Sequence, residues 1–176
     1  MTALACVTGR FQPVHHQHVE LFEIALRSAD HVIVAITNPD PGARQQEPTS
    51  VHRHCASANP WTYYERARLI ESALADRGHT ARTTIVPLDL TRPDHWAQYV
   101  PLHARHFVRA YSRWEWRKAE LLSAAGYQVV VLDGDLDGRL SASDIRARMD
   151  RGEAWEELVP TSVAPILRDF DGRGQR

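Results

Sequence analysis

The amino-acid sequence predicts one α/β domain built on a doubly wound, parallel β-sheet. Short apolar runs alternate along the chain with segments of helical periodicity. The runs are continuous rather than alternating, which is typical of parallel strands buried on both faces. The 176 residues suffice for one domain with an ordinary hydrophobic core. We therefore expect ligands to bind beyond the carboxyl ends of the strands, where helix N-termini point.

The order of the predicted elements supports this fold class. Five apolar runs are predicted strands, at residues 3–7, 32–36, 83–88, 107–111 and 129–132. Five segments are predicted helices, at residues 16–29, 62–76, 114–125, 141–150 and 162–170. The second helix begins with a capping-box pattern, Thr62 followed by Glu65. Repeated strand–helix–strand order indicates a Rossmann-like domain over residues 1–170.

Two segments depart from this pattern. Residues 38–60 contain three prolines before Pro60 and show little periodicity. A structureless stretch of this length inside a compact domain is either a functional lid or disordered, and we expect a mobile loop at the active site. The tail, residues 171–176, is expected to be frayed.

Composition narrows the function classes. No apolar stretch of about 18 residues is present to span a membrane, and the N-terminal residues lack the pattern of a secretion signal. Two cysteines, Cys6 and Cys55, form no disulfide framework, so we expect a cytoplasmic protein. The net charge of −1 argues against nucleic acid or an acidic membrane as partner. The sequence leaves the oligomeric state open, with a homo-oligomer as one alternative.

The basic residues are unusual in kind. Lys118 is the only lysine, and the remaining basic residues are all arginines. Arginine binds phosphate through a planar pair of donors, so this usage suits a phosphate ligand. Codon bias in a GC-rich genome is the preferred explanation of the same composition.

The strongest motif follows the first predicted strand and begins the first predicted helix. Residues 9–18 read Gly-Arg-Phe-Gln-Pro-Val-His-His-Gln-His. A helix N-terminus offers free backbone N–H groups and a positive dipole end, which suit phosphate. These residues are therefore a first predicted anion cradle. Gly9 allows a tight turn, and Arg10 can bind a phosphate oxygen. His15 and His18 are three residues apart and project from one side, where they can stabilise charge on an α-phosphate under attack.

A second anion-binding segment follows the last predicted strand. Residues 139–146 read Arg-Leu-Ser-Ala-Ser-Asp-Ile-Arg. Ser141 or Ser143 can cap the helix, and their hydroxyls with nearby N–H groups form a second anion cradle. Arg139 and Arg146 add positive charge to it.

These motifs carry a family resemblance. Residues 9–18 resemble the His-x-Gly-His signature of nucleotidyltransferases, in the form Gly-Arg-x-Gln-Pro-Phe-His-x-Gly-His of archaeal-type nicotinamide mononucleotide (NMN) adenylyltransferases. Residues 139–146 are similar to that family's Ser-x-Thr-x-x-Arg segment, and residues 59–66 to its Asp-Pro-Phe-Thr-x-x-Glu-Arg segment. Residues 155–160 also align, and only residues 38–58 and 91–118 match weakly.

The resemblance implies roles for particular residues. Catalysis is assigned to His15, His18, Arg10 and Arg146. Nucleotide binding is assigned to Gly9, Phe11, Gln12, Arg139, Ser141 and Ser143. The triphosphate would hold the Mg²⁺ cofactor, with no metal site assigned to protein residues. Where the family has a glycine this chain has Gln17, which either crowds the nucleotide or makes a new contact.

The acceptor positions depart further from the adenylyltransferases. Trp96 suits ring stacking, but Pro93 replaces the asparagine that reads the carboxamide, and Ala58 replaces the acceptor-phosphate arginine. This pattern favours the same chemistry on another partner. Related phosphonoformate cytidylyltransferases couple CMP to small phosphonates. Candidate acceptor ligands are Trp96, Arg44, Arg53, His52, His54 and Arg113.

The expected function is therefore NMP transfer from NTP–Mg²⁺ to a small phosphate or phosphonate, with release of pyrophosphate. The preferred pair is CTP with a phosphonate such as phosphonoformate. The alternatives are ATP with NMN and, from another class, a nucleotide-binding sensor without catalysis.

Overall fold

The sheet of the computed structural model has five parallel strands in the order β3-β2-β1-β4-β5. The structure describes residues 3–174, and of residues 171–174 only the helical backbone. The strands are β1 (Leu4–Gly9), β2 (His31–Thr37), β3 (Thr83–Leu88), β4 (Arg105–Ala110) and β5 (Val129–Asp133). The order reverses between β1 and β4, and open α/β sheets bind ligands at such a switch point.

Five α-helices connect and follow the strands. They are α1 (His16–Arg27), α2 (Tyr63–Asp76), α3 (Arg113–Ala124), α4 (Ala142–Asp150) and α5 (Val163–Gly174). Capping boxes begin α2 at Thr62 and α3 at Ser112, and the Ser141 hydroxyl accepts from Asp144 N–H to begin α4. Short 3₁₀ helices lie at Pro41–Ala43, Ala56–Ala58, Thr80–Arg82, Pro93–Gln98 and Glu156–Leu158.

The sheet separates two hydrophobic cores. Alternate residues of β1 point to opposite faces, so Val7 joins one core and Cys6 the other. The first core receives α1, α2, α5 and Ile145 of α4. The second core receives α3, through Leu122, and the 3₁₀ helix with Trp96. Therefore α1 and α4 lie on one face of the sheet and α3 on the other.

The predicted fold class is confirmed, and every predicted strand and helix is present. The third strand has the predicted bounds, and the other ends differ by a few residues. β2 begins one residue early because His31 pairs with Leu4, which extends the ladder beyond the apolar run. Residues 38–60 form two 3₁₀ turns and an isolated bridge, Glu47 with Ser50.

The helix α5 continues to Gly174, into the segment predicted to be frayed, whose last two residues lie outside the described part. Within residues 3–174, no helix has the length and apolar character needed to cross a bilayer.

Candidate active site

A cleft opens at the switch point, beyond the carboxyl ends of β1 and β4. The space within it, counted together with the part open to solvent, is about 900 Å³. From the first motif it is lined by Gly9, Arg10, Phe11, Gln12, His15 and His18. From the second motif it is lined by Arg139, Ser141 and Ser143, and Arg146 lines the continuation of the cleft. The structure thus brings the two predicted motifs together.

The turn after β1 is built around Phe11. Its backbone is left-handed, with φ of 51°, and its buried ring lies edge-on to His18 at 4.9 Å. A Cβ added to Gly9 would come within 2.8 Å of this ring, so the close approach requires glycine. Gln12 is buried and binds the backbone of Trp61 through both ends of its amide. Gln12 therefore fixes the loop before α2 against the turn.

Two imidazoles stack at the start of α1. The ring centroids of His15 and His18 are 3.6 Å apart. Burial, with nearby His16 and Arg139, lowers the pKa of His15 to about 3. Burial, with His15 and neighbouring cations, also holds the pKa of His18 well below its usual value. Both rings are therefore neutral at pH 7.

The hydrogen bonds of these rings leave donors for a ligand. His18 Nδ1 accepts from the His15 backbone N–H at 3.3 Å, so the proton of the neutral ring resides on Nε2. His15 Nδ1 is buried and has no hydrogen-bond partner among the described residues. Neutral imidazole N–H groups at the end of β1 can donate to charge that develops on a phosphate.

The start of α4 is joined to the turn after β1 by Arg146. Its guanidinium donates to the Gln12 carbonyl and to the Ser143 hydroxyl, the latter at 3.2 Å. Burial lowers the pKa of Arg146 from its usual value, yet an arginine stays charged at neutral pH. This contact holds the two anion cradles beside each other.

Gln17 makes the second connection between the motifs. Its amide nitrogen donates to the Gly138 carbonyl at 2.7 Å, and its amide oxygen accepts from the Leu140 N–H at 2.9 Å. The Tyr111 hydroxyl donates to the same oxygen at 3.1 Å, and the Arg139 guanidinium lies 5.0 Å from the Tyr111 ring centroid. Gln17 therefore makes contacts with the loop before α4 and with Tyr111, and crowding of the nucleotide stays a prediction.

Three further cations line the cleft, two of them beside α3. The Arg53 guanidinium, from residues 38–60, lies 4.5 Å from the centroid of Trp114 on α3. Lys118, one turn further along α3, is buried and donates to the Thr8 carbonyl at 3.0 Å. Arg109 of β4 also lines the cleft and pairs with Glu20 at 2.9 Å.

Sequence reasoning assigned no site role to Lys118, although a signal was available. Trp114, Lys118 and Leu122 have the i, i+4, i+8 spacing of one helix face, and all three are buried. A lysine on the apolar face of a helix indicates a specific partner for its charge.

Comparisons with known proteins agree with this geometry. The model of the cytidylyltransferase-like family matches residues 6–148. The chain belongs to the cytidylyltransferase-like family. It is 35% identical over 164 residues to the phosphonoformate cytidylyltransferase of Streptomyces viridochromogenes, covering 93% of this chain and 89% of the relative. It is 34% identical to the nicotinamide-nucleotide adenylyltransferase of Thermococcus onnurineus, covering 93% and 81%.

Solved structures share the fold of this cytidylyltransferase-like chain. A bifunctional NMN adenylyltransferase/ADP ribose pyrophosphatase from Francisella tularensis, complexed with AMP and a manganese ion, superposes with a TM-score of 0.69 at 17% identity. The match covers 97% of this chain and 50% of that chain. A putative nicotinate-nucleotide adenylyltransferase from Vibrio parahaemolyticus gives 0.58 at 15% identity, covering 95% and 99%. The prediction of a nucleotidyltransferase is confirmed by the family match and by the identity to the two relatives.

Several predicted acceptor ligands lie outside the cleft of this cytidylyltransferase-like chain. Trp96 is 2% exposed, packs in the second core and donates its indole N–H to the Asp89 carbonyl. Arg44 donates to the Asn59 carbonyl instead of lining the cleft. His54 and Arg113 do not line it either. Stacking on Trp96 would require the second core to open, so Trp96 is no longer assigned to the acceptor, whereas the roles of Arg44, His54 and Arg113 stay predictions.

The remaining acceptor candidates line the cleft. The cleft has two parts, one lined by His15 and His18 and one lined by Arg146. Arg53 lines both parts, and His52 lines the part with Arg146. Asn38 and Asn59 hold the Arg53 carbonyl by hydrogen bonds of 3.2 and 2.7 Å. The mobility expected of residues 38–60 stays a prediction.

The donor set of the cleft bears on the metal. Glu115 is the carboxylate among the lining residues, and its oxygen accepts from both N–H and hydroxyl of Ser112. Among the described residues, no group of three or more His, Cys, Asp or Glu side chains could hold a metal ion. The Mg²⁺ expected with the triphosphate stays a prediction.

Proposed function

We propose that this protein transfers CMP from CTP–Mg²⁺ to a small phosphonate such as phosphonoformate and releases pyrophosphate. The observation that carries the transfer chemistry is the pair of neutral, stacked imidazoles in the cleft that both anion cradles line. The observation that favours a compact anionic acceptor is the lining of the cleft. Its cations are Arg10, Arg53, Arg109, Lys118 and Arg139.

In the proposed reaction an acceptor oxygen attacks the α-phosphorus in line with the leaving group. A new phosphorus–oxygen bond forms, and the bond to the β-phosphate bridging oxygen breaks. The leaving pyrophosphate retains the electron pair of that bond and the Mg²⁺. Because the acceptor oxygen is already anionic, no protein base is required. Catalysis is then positioning and charge stabilisation, by His15 and His18 at the α-phosphate and by Arg10 and Arg146 along the triphosphate.

The second candidate is ATP with NMN, favoured by the 34% identity to the Thermococcus onnurineus enzyme. Two features weigh against it. Trp96 is buried away from the cleft, and Pro93 stands where a carboxamide reader is expected. A cleft rich in cations suits a multiply charged anionic acceptor better than the nicotinamide ring of NMN, which is a positively charged pyridinium.

A matrix of four NTPs against NMN, phosphonoformate and methylphosphonate, read by pyrophosphate release, tests the proposal. We expect the highest kcat/KM for CTP with phosphonoformate. Efficient NAD formation from ATP would replace the acceptor assignment by the second candidate. Nucleotide binding without pyrophosphate release in any pair would indicate a sensor.

A further inference from the structure

Lys118 is held in an unusual setting for a lysine. It is 8% exposed, yet it lines the cleft and sits on the helix face that packs against the sheet. Its ammonium makes one hydrogen bond within the described part of the chain, to the Thr8 carbonyl at the end of β1. An ammonium has three donors, so two stay available to a ligand. Burying a charge is costly unless a partner compensates for it.

Arg53 lies close to Lys118 and is fixed by its own contacts. Trp114 lies one turn before Lys118 and supports the Arg53 guanidinium at 4.5 Å. Asn59 holds the backbone of Arg53 at 2.7 Å. Glu115 faces both cations, and its carboxylate is already hydrogen-bonded to Ser112. Glu47 and Arg10 also face Arg53. Three cations beside two carboxylates leave a net positive charge in this part of the cleft.

The position of the pair relative to the anion cradles decides what it can bind. α1 and α4 pack on the first core, and α3 packs on the second. In phosphoryl transfer the attacking oxygen and the leaving oxygen are roughly in line. If the triphosphate lies along Gln12, Ser141 and Arg146, the acceptor must approach the α-phosphorus from the α3 side.

We propose that Lys118 and Arg53 form the acceptor subsite and select a small phosphonate that carries a second anionic group. This inference rests on the proposed function and adds the residues and the substrate class. The phosphonate oxygens would take the free ammonium donors, and the Arg53 fork would bind the second anionic group, such as a carboxylate, in a bidentate manner. A monoanionic or neutral acceptor end would leave one cation without a partner.

The test uses Lys118→Met, which keeps the length of the buried stem, and Arg53→Gln. Arg117→Gln is the matched control, because Arg117 lies on the same helix, is exposed and pairs only with Glu120 among the described residues. The probes are phosphonoformate, which carries a carboxylate, and methylphosphonate, which does not. Steady-state KM for each probe is measured by pyrophosphate release. Calorimetry gives the Kd of CTP and, with an α,β-methylene CTP analogue bound, of phosphonoformate.

We expect KM for phosphonoformate to rise about 10- to 100-fold in each variant, the range of one lost charge-assisted hydrogen bond. The Kd of CTP should stay within about twofold of wild type in each case. Arg53→Gln should reduce the preference for phosphonoformate over methylphosphonate. Because burial lowers the pKa of Lys118 to about 8, kcat/KM for the acceptor should fall above that pH in wild type and in Arg117→Gln. This alkaline limb should be absent in Lys118→Met.

Two results would overturn the subsite. In the first, wild type transfers CMP to phosphonoformate and both variants keep the wild-type acceptor KM. The proposed function then stands without this subsite. The other is an equal rise of the CTP Kd and the acceptor KM, which would make Lys118 a support for the end of β1. If wild type shows no turnover, the proposed function fails. Calorimetric binding of phosphonoformate then decides the subsite separately, because its loss in Lys118→Met supports it and equal binding excludes it.

Discussion

Replacing Gln17 by alanine removes the side chain that ties the start of α1 to the loop before α4. The amide makes three hydrogen bonds, with Gly138, Leu140 and Tyr111, at 2.7, 2.9 and 3.1 Å. A hydrogen bond contributes about 0.5–1.5 kcal/mol net. We take a total of about 1.5–3 kcal/mol, because the loop is partly exposed and such contributions are not additive.

The consequence is measured as nucleotide affinity. If the three bonds order the loop that presents Ser141, their loss lowers the population of the binding-competent form. The apparent affinity for CTP falls in proportion to that population. The free-energy loss of about 1.5–3 kcal/mol therefore corresponds to a rise of the CTP Kd by about 10- to 150-fold. Calorimetry with CTP–Mg²⁺ measures it, with thermal unfolding to confirm that the variant is folded.

Two variants control this experiment. His16→Ala removes an exposed neighbour that contacts the Glu157 carbonyl, away from the cleft, and should leave the CTP Kd unchanged. Gln17→Gly restores the glycine of the family signature and should weaken binding at least as much as alanine. Tighter CTP binding in either Gln17 variant would contradict the reasoning, because it would mean that the side chain crowds the nucleotide instead of ordering the loop.

Three further predictions concern individual residues. His18→Ala should lower kcat about 100- to 1,000-fold, because one hydrogen-bond donor to the transition state is lost. Calorimetry should show that CTP still binds, and unchanged turnover would remove His18 from catalysis. Burial lowers the pKa of His106 to about 3, so the unfolded state binds more protons between about pH 6.5 and 3 and stability falls with falling pH. His106→Phe should reduce this loss by up to about 1.4 kcal/mol per pH unit in pH-dependent denaturation; an identical pH slope in the variant would contradict a neutral, buried His106. Gly134→Ala places a Cβ against the Tyr111 ring and 2.8 Å from the Ala110 carbonyl oxygen, so the ring and the local backbone must move. A lower melting temperature and weaker CTP binding are expected, and wild-type values for both would show that the contact is not restrictive.

The fold and the phosphate-binding motifs could be predicted because their signals are local. Continuous apolar runs mark the strands, and the caps at Thr62 and Ser141 mark where helices begin. Residues 9–18 and 139–146 each lie between a strand and a helix, so the parallel sheet brings both segments to one edge.

The acceptor side could not be predicted in the same way, because its composition depends on tertiary packing. Trp96 is buried because a 3₁₀ helix packs on the second core, which no periodicity indicated. Arg44 and Arg53 belong to one irregular segment, and contacts with Trp114, Asn38 and Asn59 hold Arg53 in the cleft. Lys118 faces the site because α3 packs on β4 and β5, from where its ammonium reaches the end of β1.

The central claim is that the two anion cradles bind one triphosphate. A crystal structure of the protein with the α,β-methylene analogue of CTP and Mg²⁺ tests it most directly. We predict that the α-phosphate lies within hydrogen-bonding distance of His15 and His18, and that the β- and γ-phosphates contact Ser141 and Arg146. A triphosphate bound away from either cradle, or histidine rings turned from the α-phosphate, would contradict the account.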